Sequence, residues 1–401
     1  LLECLLGIAS IVVTVAALEA AFAVLGLRYV PLRLQGDLPQ DIRVFAQSSK
    51  SGVLPRDPIL LLGDSYAQGF GDWLLEADPN RNGPFNSAHV IRQLSGRDVI
   101  TLGESGAGSA EGMAAFPAIA YAHSKTAWYL RLPPPHVAVV YFYEGNDLNN
   151  NMRFLEQQAA RPEAADAVER IDRALAAYPP RLFAPAGWAL HLPLLRFLSR
   201  VARRVYAEQT ASQSPETSDP DGAVRAAETD PPNTVEVAGR PMRLPANLQS
   251  PAMELTGQEV EQAVLVYDRS LAFLRKLLPG VPVLVVYVPS PLSSYRLLGP
   301  DVSIQPYLKG RATRYPIQRV AEDSDRMCVM IRAATAEQGA GFLDLRPAIR
   351  AAGVADLVHG PRDFKHFNRR GMEVLGQAVA ARIERPLAPE SCSAGSGGTA
   401  D

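Results

Sequence analysis

The chain opens on an unbroken apolar run. Residues 4–27 are nearly all Leu, Ile, Val, Ala and Phe, interrupted by one charge, Glu19. As a helix rising about 1.5 Å per residue, this run extends roughly 36 Å, enough to cross a bilayer core. A cleaved signal peptide or a buried core helix shows a similar pattern. The run exceeds a usual signal h-region, which favours an uncleaved anchor over 4–27. Close to the helix end, Glu19 is placed to face a partner helix or to reach towards Arg28. Residues 28–56 are polar and proline-dotted without a sustained period, and read as a juxtamembrane linker.

Short apolar runs closed by turn residues follow. Ile59–Leu62 ends in Gly63-Asp64-Ser65, and residues 99–102 end in a glycine-rich turn. Residues 137–142 end in Glu144-Gly145-Asn146-Asp147, Val283–Val288 stops at Pro289, and 342–345 is the fifth run. Runs of this length without alternation describe strands buried on both faces, hence a parallel sheet. Helical periodicity fills the gaps at 259–278, 324–338 and 371–383. The alternation predicts an α/β domain with a mostly parallel sheet, spanning residues 57–386.

Residues 151–255 break that rhythm and read as an insertion. Helices are predicted at 163–177 and 192–207. Residues 210–247 are rich in Pro, Ser, Thr, Asp and Glu and read as flexible, because they bury too little apolar surface to offset ordering entropy. The tail, 387–401, reads as disordered. Within 188–205, Leu192, Leu195, Leu198 and Val201 lie near one face, with Arg196, Arg200, Arg203 and Arg204 beside it. Both an ordinary packed helix with a solvated basic side and a membrane-surface helix fit that pattern.

Composition adds limits. The 401 residues are 47% hydrophobic and 20% charged with a formal charge of -2, so no basic excess points to nucleic acid. The three cysteines, Cys4, Cys328 and Cys392, are scattered, which argues against a disulfide framework and offers no zinc signature.

Chemistry in open parallel sheets gathers beyond the carboxyl ends of the strands. Ser65 follows the first strand in a turn that opens a helix, where backbone N–H groups can face an anion. The turn from Gly103 to Ser109 lets the backbone approach a ligand closely. Asn146 offers a side-chain amide to a developing oxyanion. A hydroxyl nucleophile needs a base, and the base an orienter. Asp363 and His366, three apart before the last helix, can point the same way. His89, His123, His136, His191 and His359 lack each other at ligand spacing and read as structural. Asn149-Asn150-Asn151 fits either pocket lining or turn chemistry.

These segments resemble the blocks of the SGNH (GDSL-type) hydrolases. Leu62-Gly63-Asp64-Ser65 is similar to the first block, Gly103 to Ser109 to the second, Gly145-Asn146-Asp147 to the third, and Asp363-x-x-His366 to the last. Thr101 departs, standing where many members carry Asn. The resemblance covers roughly residues 57–150 and 256–386. It implies a three-layer α/β/α, flavodoxin-like fold, no cofactor, and hydrolysis of acyl esters. It assigns Ser65 as nucleophile, His366 as base, Asp363 as orienter, and Gly106 N–H and Asn146 as oxyanion donors. The implied substrate is an ester or acylated carbohydrate, and similarity to anchored members implies an extracytoplasmic catalytic domain. Acyl transfer to an envelope polysaccharide, or glycan binding without catalysis, would use the same cleft.

Overall fold

The structure, a computed structural model, describes residues 2–38, 40–76, 86–126, 131–157, 166–182, 192–211, 232–308 and 310–393. Each of the five apolar runs forms a strand: β1 (Ile59–Leu62), β2 (Val99–Thr101), β3 (Val137–Tyr143), β4 (Val283–Val288) and β5 (Gly341–Asp344). They form one parallel sheet in the order β2-β1-β3-β4-β5, with Ile59 in register with both Val99 and Val137. Side chains alternate between two cores. Leu60, Leu62, Val140 and Phe142 pack on one face against Val266, Tyr267 and Leu271 of the Gly257–Leu277 helix. Ile59, Leu61, Val139 and Tyr141 pack on the other against Ile91, Met372, Leu375 and Val379. Helices therefore cover both faces of the sheet in three layers, which is why its strands carry no polar alternation.

The helices begin where the sequence supplies caps. Thr256 and Glu259 close a capping box at Gly257–Leu277, and Asn368 accepts the Gly371 N–H at the start of Arg369–Ile383. Gln318–Glu337 extends the helix predicted at 324–338 by six residues towards its start. Ala167–Leu182 and Pro193–Ala211 occupy the two helical segments predicted within 151–255.

Four expectations are corrected. Residues 28–56 are not a detached linker: Leu38, Ile42, Val44 and Phe45 are fully or almost fully buried in the core. The polar stretch 210–247 is not flexible throughout. Asn233–Val237 and Arg240–Leu244 form an antiparallel hairpin, and Arg296–Leu298 pairs with it from far along the chain. Residues 212–231 lie outside the described residues. The tail is ordered to Ser393, held by Glu390 N–H on the Phe342 carbonyl (3.1 Å) and Ser393 N–H on Asp344 (2.9 Å); 394–401 lie outside the described residues. Cys328 and Cys392 form a disulfide across 64 residues, so scattered spacing hid a covalent link.

The apolar N-terminal run is a helix, Leu2–Val24, of which Glu3–Val24 is long and apolar enough to cross a membrane, with mean hydropathy 2.2. An anchor and a signal sequence both meet that description.

Candidate active site

The site grows from the end of β1. Gly63 has φ +133°, and a Cβ there would sit 2.5 Å from the Tyr141 carbonyl oxygen, so glycine alone lets the chain turn here. Asp64 then caps the Ser65–Gln68 helix, accepting the Tyr66 N–H at 2.9 Å. Ser65 becomes the first helical residue, whose N–H has no partner one turn back.

His366 and Asp363 arrive from the loop before Arg369–Ile383. His366 Nε2 lies 2.8 Å from Ser65 Oγ, and His366 Nδ1 lies 2.6 Å from Asp363 Oδ2. Burial pushes the Asp363 carboxyl up in pKa. The hydrogen bond and charge of His366, with the N–H groups of Lys365 and His366, outweigh burial and hold it below the usual carboxylate range. An ionised Asp363 only accepts, so Nδ1 donates to it, and Nε2 is the ring nitrogen turned to the Ser65 hydroxyl.

The loop is held by residues that sequence patterning did not single out. Asp72, almost fully buried, accepts the N–H of Arg362 (2.9 Å) through one oxygen and of Asp363 (2.8 Å) through the other. Tyr66 donates its hydroxyl to the Lys365 carbonyl at 3.0 Å. At Gly71 a Cβ would approach the Phe367 carbonyl oxygen to 2.2 Å. An aspartate in a glycine-rich turn announces only turn chemistry in sequence, so its partners 290 and 291 residues away are invisible there.

The β2 turn is braced against the same helix. Thr101 Oγ1 donates to the Ala67 carbonyl at 2.6 Å and accepts the Gly103 N–H at 3.1 Å, so threonine supplies a polar link between the two segments. Ser105 N–H donates to Gln68 Oε1 at 2.6 Å. Gly106 follows with φ +75°, and its N–H donates to no described residue. Asn150 Nδ2 donates to the Ala107 carbonyl, and Asn151 bonds both Ser109 N–H and Ser109 Oγ. Asn150 and Asn151 thus tie the β2 turn to the Asp147–Gln157 helix after β3.

Asn146 lies in the turn after β3, buried, with its Oδ1 unpartnered among the described residues. Its amide sits beside two charged or polar neighbours. Burial pushes the Asp64 carboxyl up to about 6, opposed by the Tyr66 N–H, the His366 charge, Ser65 and the Asn146 side chain. Tyr307 also feels the Asn146 side chain, and its hydroxyl meets Gln249, which accepts from Tyr143 at 2.6 Å. Burial, then the Asp64 charge, pushes the Asp147 carboxyl well above the usual carboxylate range.

The other histidines lie in structural settings. His359 is fully buried with Nδ1 3.0 Å from the Tyr295 hydroxyl, and burial lowers its pKa to about 3. His89 contacts Ser48 and Asn86. His136 lies 3.8 Å from Asp57; the side chain of His123 and all of His191 are outside the described set. Among the described residues, Cys328, Asp344 and Cys392 form the one cluster with metal-ligand proximity, and its two sulfurs are joined to each other. A cavity of about 160 Å³ is lined by Arg43, Gln68, Phe70 and Trp73 but by neither Ser65 nor His366; Phe70 stands between, its ring 6.0 Å from the His366 ring.

No protein-family profile matches the chain, and no curated protein sequence matches it. Among solved structures, the native aryl esterase of M. smegmatis aligns over 82% of this chain and 99% of its own, at 15% identity and a TM-score of 0.32. A second aligns over 82% and 97%, at 13% identity and 0.34. Similarity at that level establishes neither a shared family nor a shared activity.

Proposed function

We propose that this chain is a membrane-anchored serine esterase of the SGNH class whose catalytic domain faces away from the cytoplasm. The carrying observation is the unbroken line from Asp363 through His366 to Ser65, with contacts of 2.6 and 2.8 Å. In the reaction His366 Nε2 takes the Ser65 proton as Oγ attacks the ester carbonyl. Asp363 fixes the tautomer and stabilises the imidazolium. The oxyanion meets the N–H groups of Ser65 and Gly106 and the Asn146 amide. His366 then protonates the leaving alcohol, and water activated by the same nitrogen releases the acyl group from Ser65.

Export is supported by the Cys328–Cys392 disulfide, since such bonds persist in oxidising compartments. The test is fluorophosphonate treatment of the intact protein followed by peptide mass spectrometry, beside turnover of acetyl, butyryl and longer nitrophenyl esters. Phosphonylation of Ser65 with ester turnover is expected. A tag on another serine, or none on folded protein, overturns the assignment.

A further inference from the structure

The Pro193–Ala211 helix presents three faces. At about 100° per residue, Leu194, Phe197 and Val201 share one arc, Leu195, Leu198, Ala202, Val205 and Tyr206 the next, and Arg196, Arg200, Arg203 and Arg204 the third. The first arc packs inward, with Phe197 stacked on Phe22 of the N-terminal helix at 5.7 Å between centroids. The second is apolar yet open: Leu195 is 46% exposed, Leu198 50%, Val205 41% and Tyr206 70%. Residues 193–207 contain four arginines and no acidic residue. Arg204 meets Asp37 at 3.1 Å, Arg203 donates to the Ser199 carbonyl at 3.2 Å, and Arg200 and Arg203 are both exposed.

This helix is tied to the apolar N-terminal helix at a defined level. Glu19, 5% exposed, accepts the N–H of Leu194 (2.7 Å) and Leu195 (3.0 Å). A carboxylate on those free donors is favoured by both hydrogen bonding and the helix dipole. It also accounts for the single charge in the apolar run. Glu19 precedes Val24, the last residue of the candidate span, by five positions, about 7.5 Å along the axis. Amphipathic helices lie roughly 5–10 Å into the headgroup–acyl boundary.

We infer that Pro193–Ala211 lies in the membrane–water interface, its Leu195–Leu198–Val205–Tyr206 stripe against acyl chains and its arginines facing anionic headgroups. The occupant is the bilayer because the apolar stripe, the adjoining positive row and the depth set by Glu19 all meet in one helix. The inference rests on the N-terminal helix remaining as an anchor. The catalytic domain is then held to the membrane at two places, which fixes its orientation rather than leaving it to swing on one stalk.

The test uses the full chain in nanodiscs, with Cys4→Ser as background. An environment-sensitive fluorophore is placed on Leu198→Cys, Arg203→Cys or, as a span control, Ile11→Cys. Discs contain phosphatidylcholine alone or with about a quarter phosphatidylglycerol, with or without doxyl-labelled lipid. Blue-shifted emission and doxyl quenching are expected at positions 11 and 198, with weaker quenching at 203. Phosphatidylglycerol should increase quenching at 198, and Arg196→Gln with Arg200→Gln should remove that increase. Quenching at 11 without quenching at 198 overturns the interfacial helix and leaves the anchor standing. Absence at both overturns the anchor and this inference with it. A blue shift at 198 that doxyl lipid does not quench assigns the stripe to a protein partner or a second copy, and equally overturns it.

Discussion

At the scale of single residues, Asn146 separates catalysis from binding in a cleft. A donor that meets an oxyanion bonds fully only once negative charge develops, so its loss lowers kcat more than it raises KM. Asn146→Ala is expected to cost about 2.7–4 kcal/mol in the barrier, a hundred- to thousandfold in kcat, with Tm little changed. A variant that is destabilised but fully active makes Asn146 a turn former after β3. Asp64 offers a second residue-level test, through pH. Its pKa rises from 3.8 to about 6 on folding. Between those values the folded chain holds a proton that the unfolded chain has released. The contribution of this group is therefore fully present below the unfolded pKa, about 4, and is lost as pH rises through about 6. Asp64→Asn keeps an oxygen for the Tyr66 N–H and removes the titration. In urea unfolding from pH 4 to 8, the stability of the variant relative to the parent is expected to rise with pH. A constant difference across that range would show that burial does not shift Asp64.

At the scale of elements, the site depends on one loop being held against one short helix. Asp72 satisfies two backbone donors of that loop, and leaving them unpaired in a buried place costs roughly 1–3 kcal/mol. Asp72→Ala is expected to slow fluorophosphonate labelling of Ser65 and to lower kcat with KM nearly unchanged, because Asp363 and His366 lose their common support. Tm falls in the same variant. If labelling keeps its parental rate while Tm drops, Asp72 is structural only. The same loop shows how far patterning reaches. Strands β1, β3 and β4 are legible because burial on both faces leaves continuous apolar runs. The juxtaposition of Ser65 with Asp363 and His366 is legible because Ser65 follows a strand end and the other two stand three apart in the loop before the last helix. Asp72 is not, since its partners are distant in sequence and are backbone groups. The Asn233–Val237 and Arg240–Leu244 hairpin is also hidden. Its local composition suits an unstructured segment, and a third strand, Arg296–Leu298, supplies pairing that no local window contains. Composition likewise misjudged 28–56, where Leu38, Ile42, Val44 and Phe45 are spaced among polar residues yet all reach the core.

At the scale of the whole molecule, the Cys328–Cys392 disulfide bears on which side of the membrane the domain occupies. It joins the Gln318–Glu337 helix to the C-terminal segment that lies along β5. Closing a 64-residue separation restricts the unfolded chain by about 4 kcal/mol on the chain-entropy estimate. Cys4 is free and exposed at the other end. A domain outside the cytoplasm forms the bond, whereas one inside meets a reducing thiol pool. Membranes from expressing cells, denatured without reductant and treated with a maleimide, are therefore expected to show modification at Cys4 alone. Cys328 and Cys392 should react only after reduction. Cys392→Ser should lower the unfolding free energy by up to about 4 kcal/mol while leaving the Ser65–His366 contact in place, so kcat of the folded fraction should persist. Modification of all three cysteines before reduction would put the domain on the reducing side. The positive residues that follow the apolar run, Arg28 and Arg33, would then obey the rule that places such charge in the cytoplasm. Protection of Cys328 and Cys392 leaves Glu19, bonded to the Pro193–Ala211 helix, towards the outer end of the span.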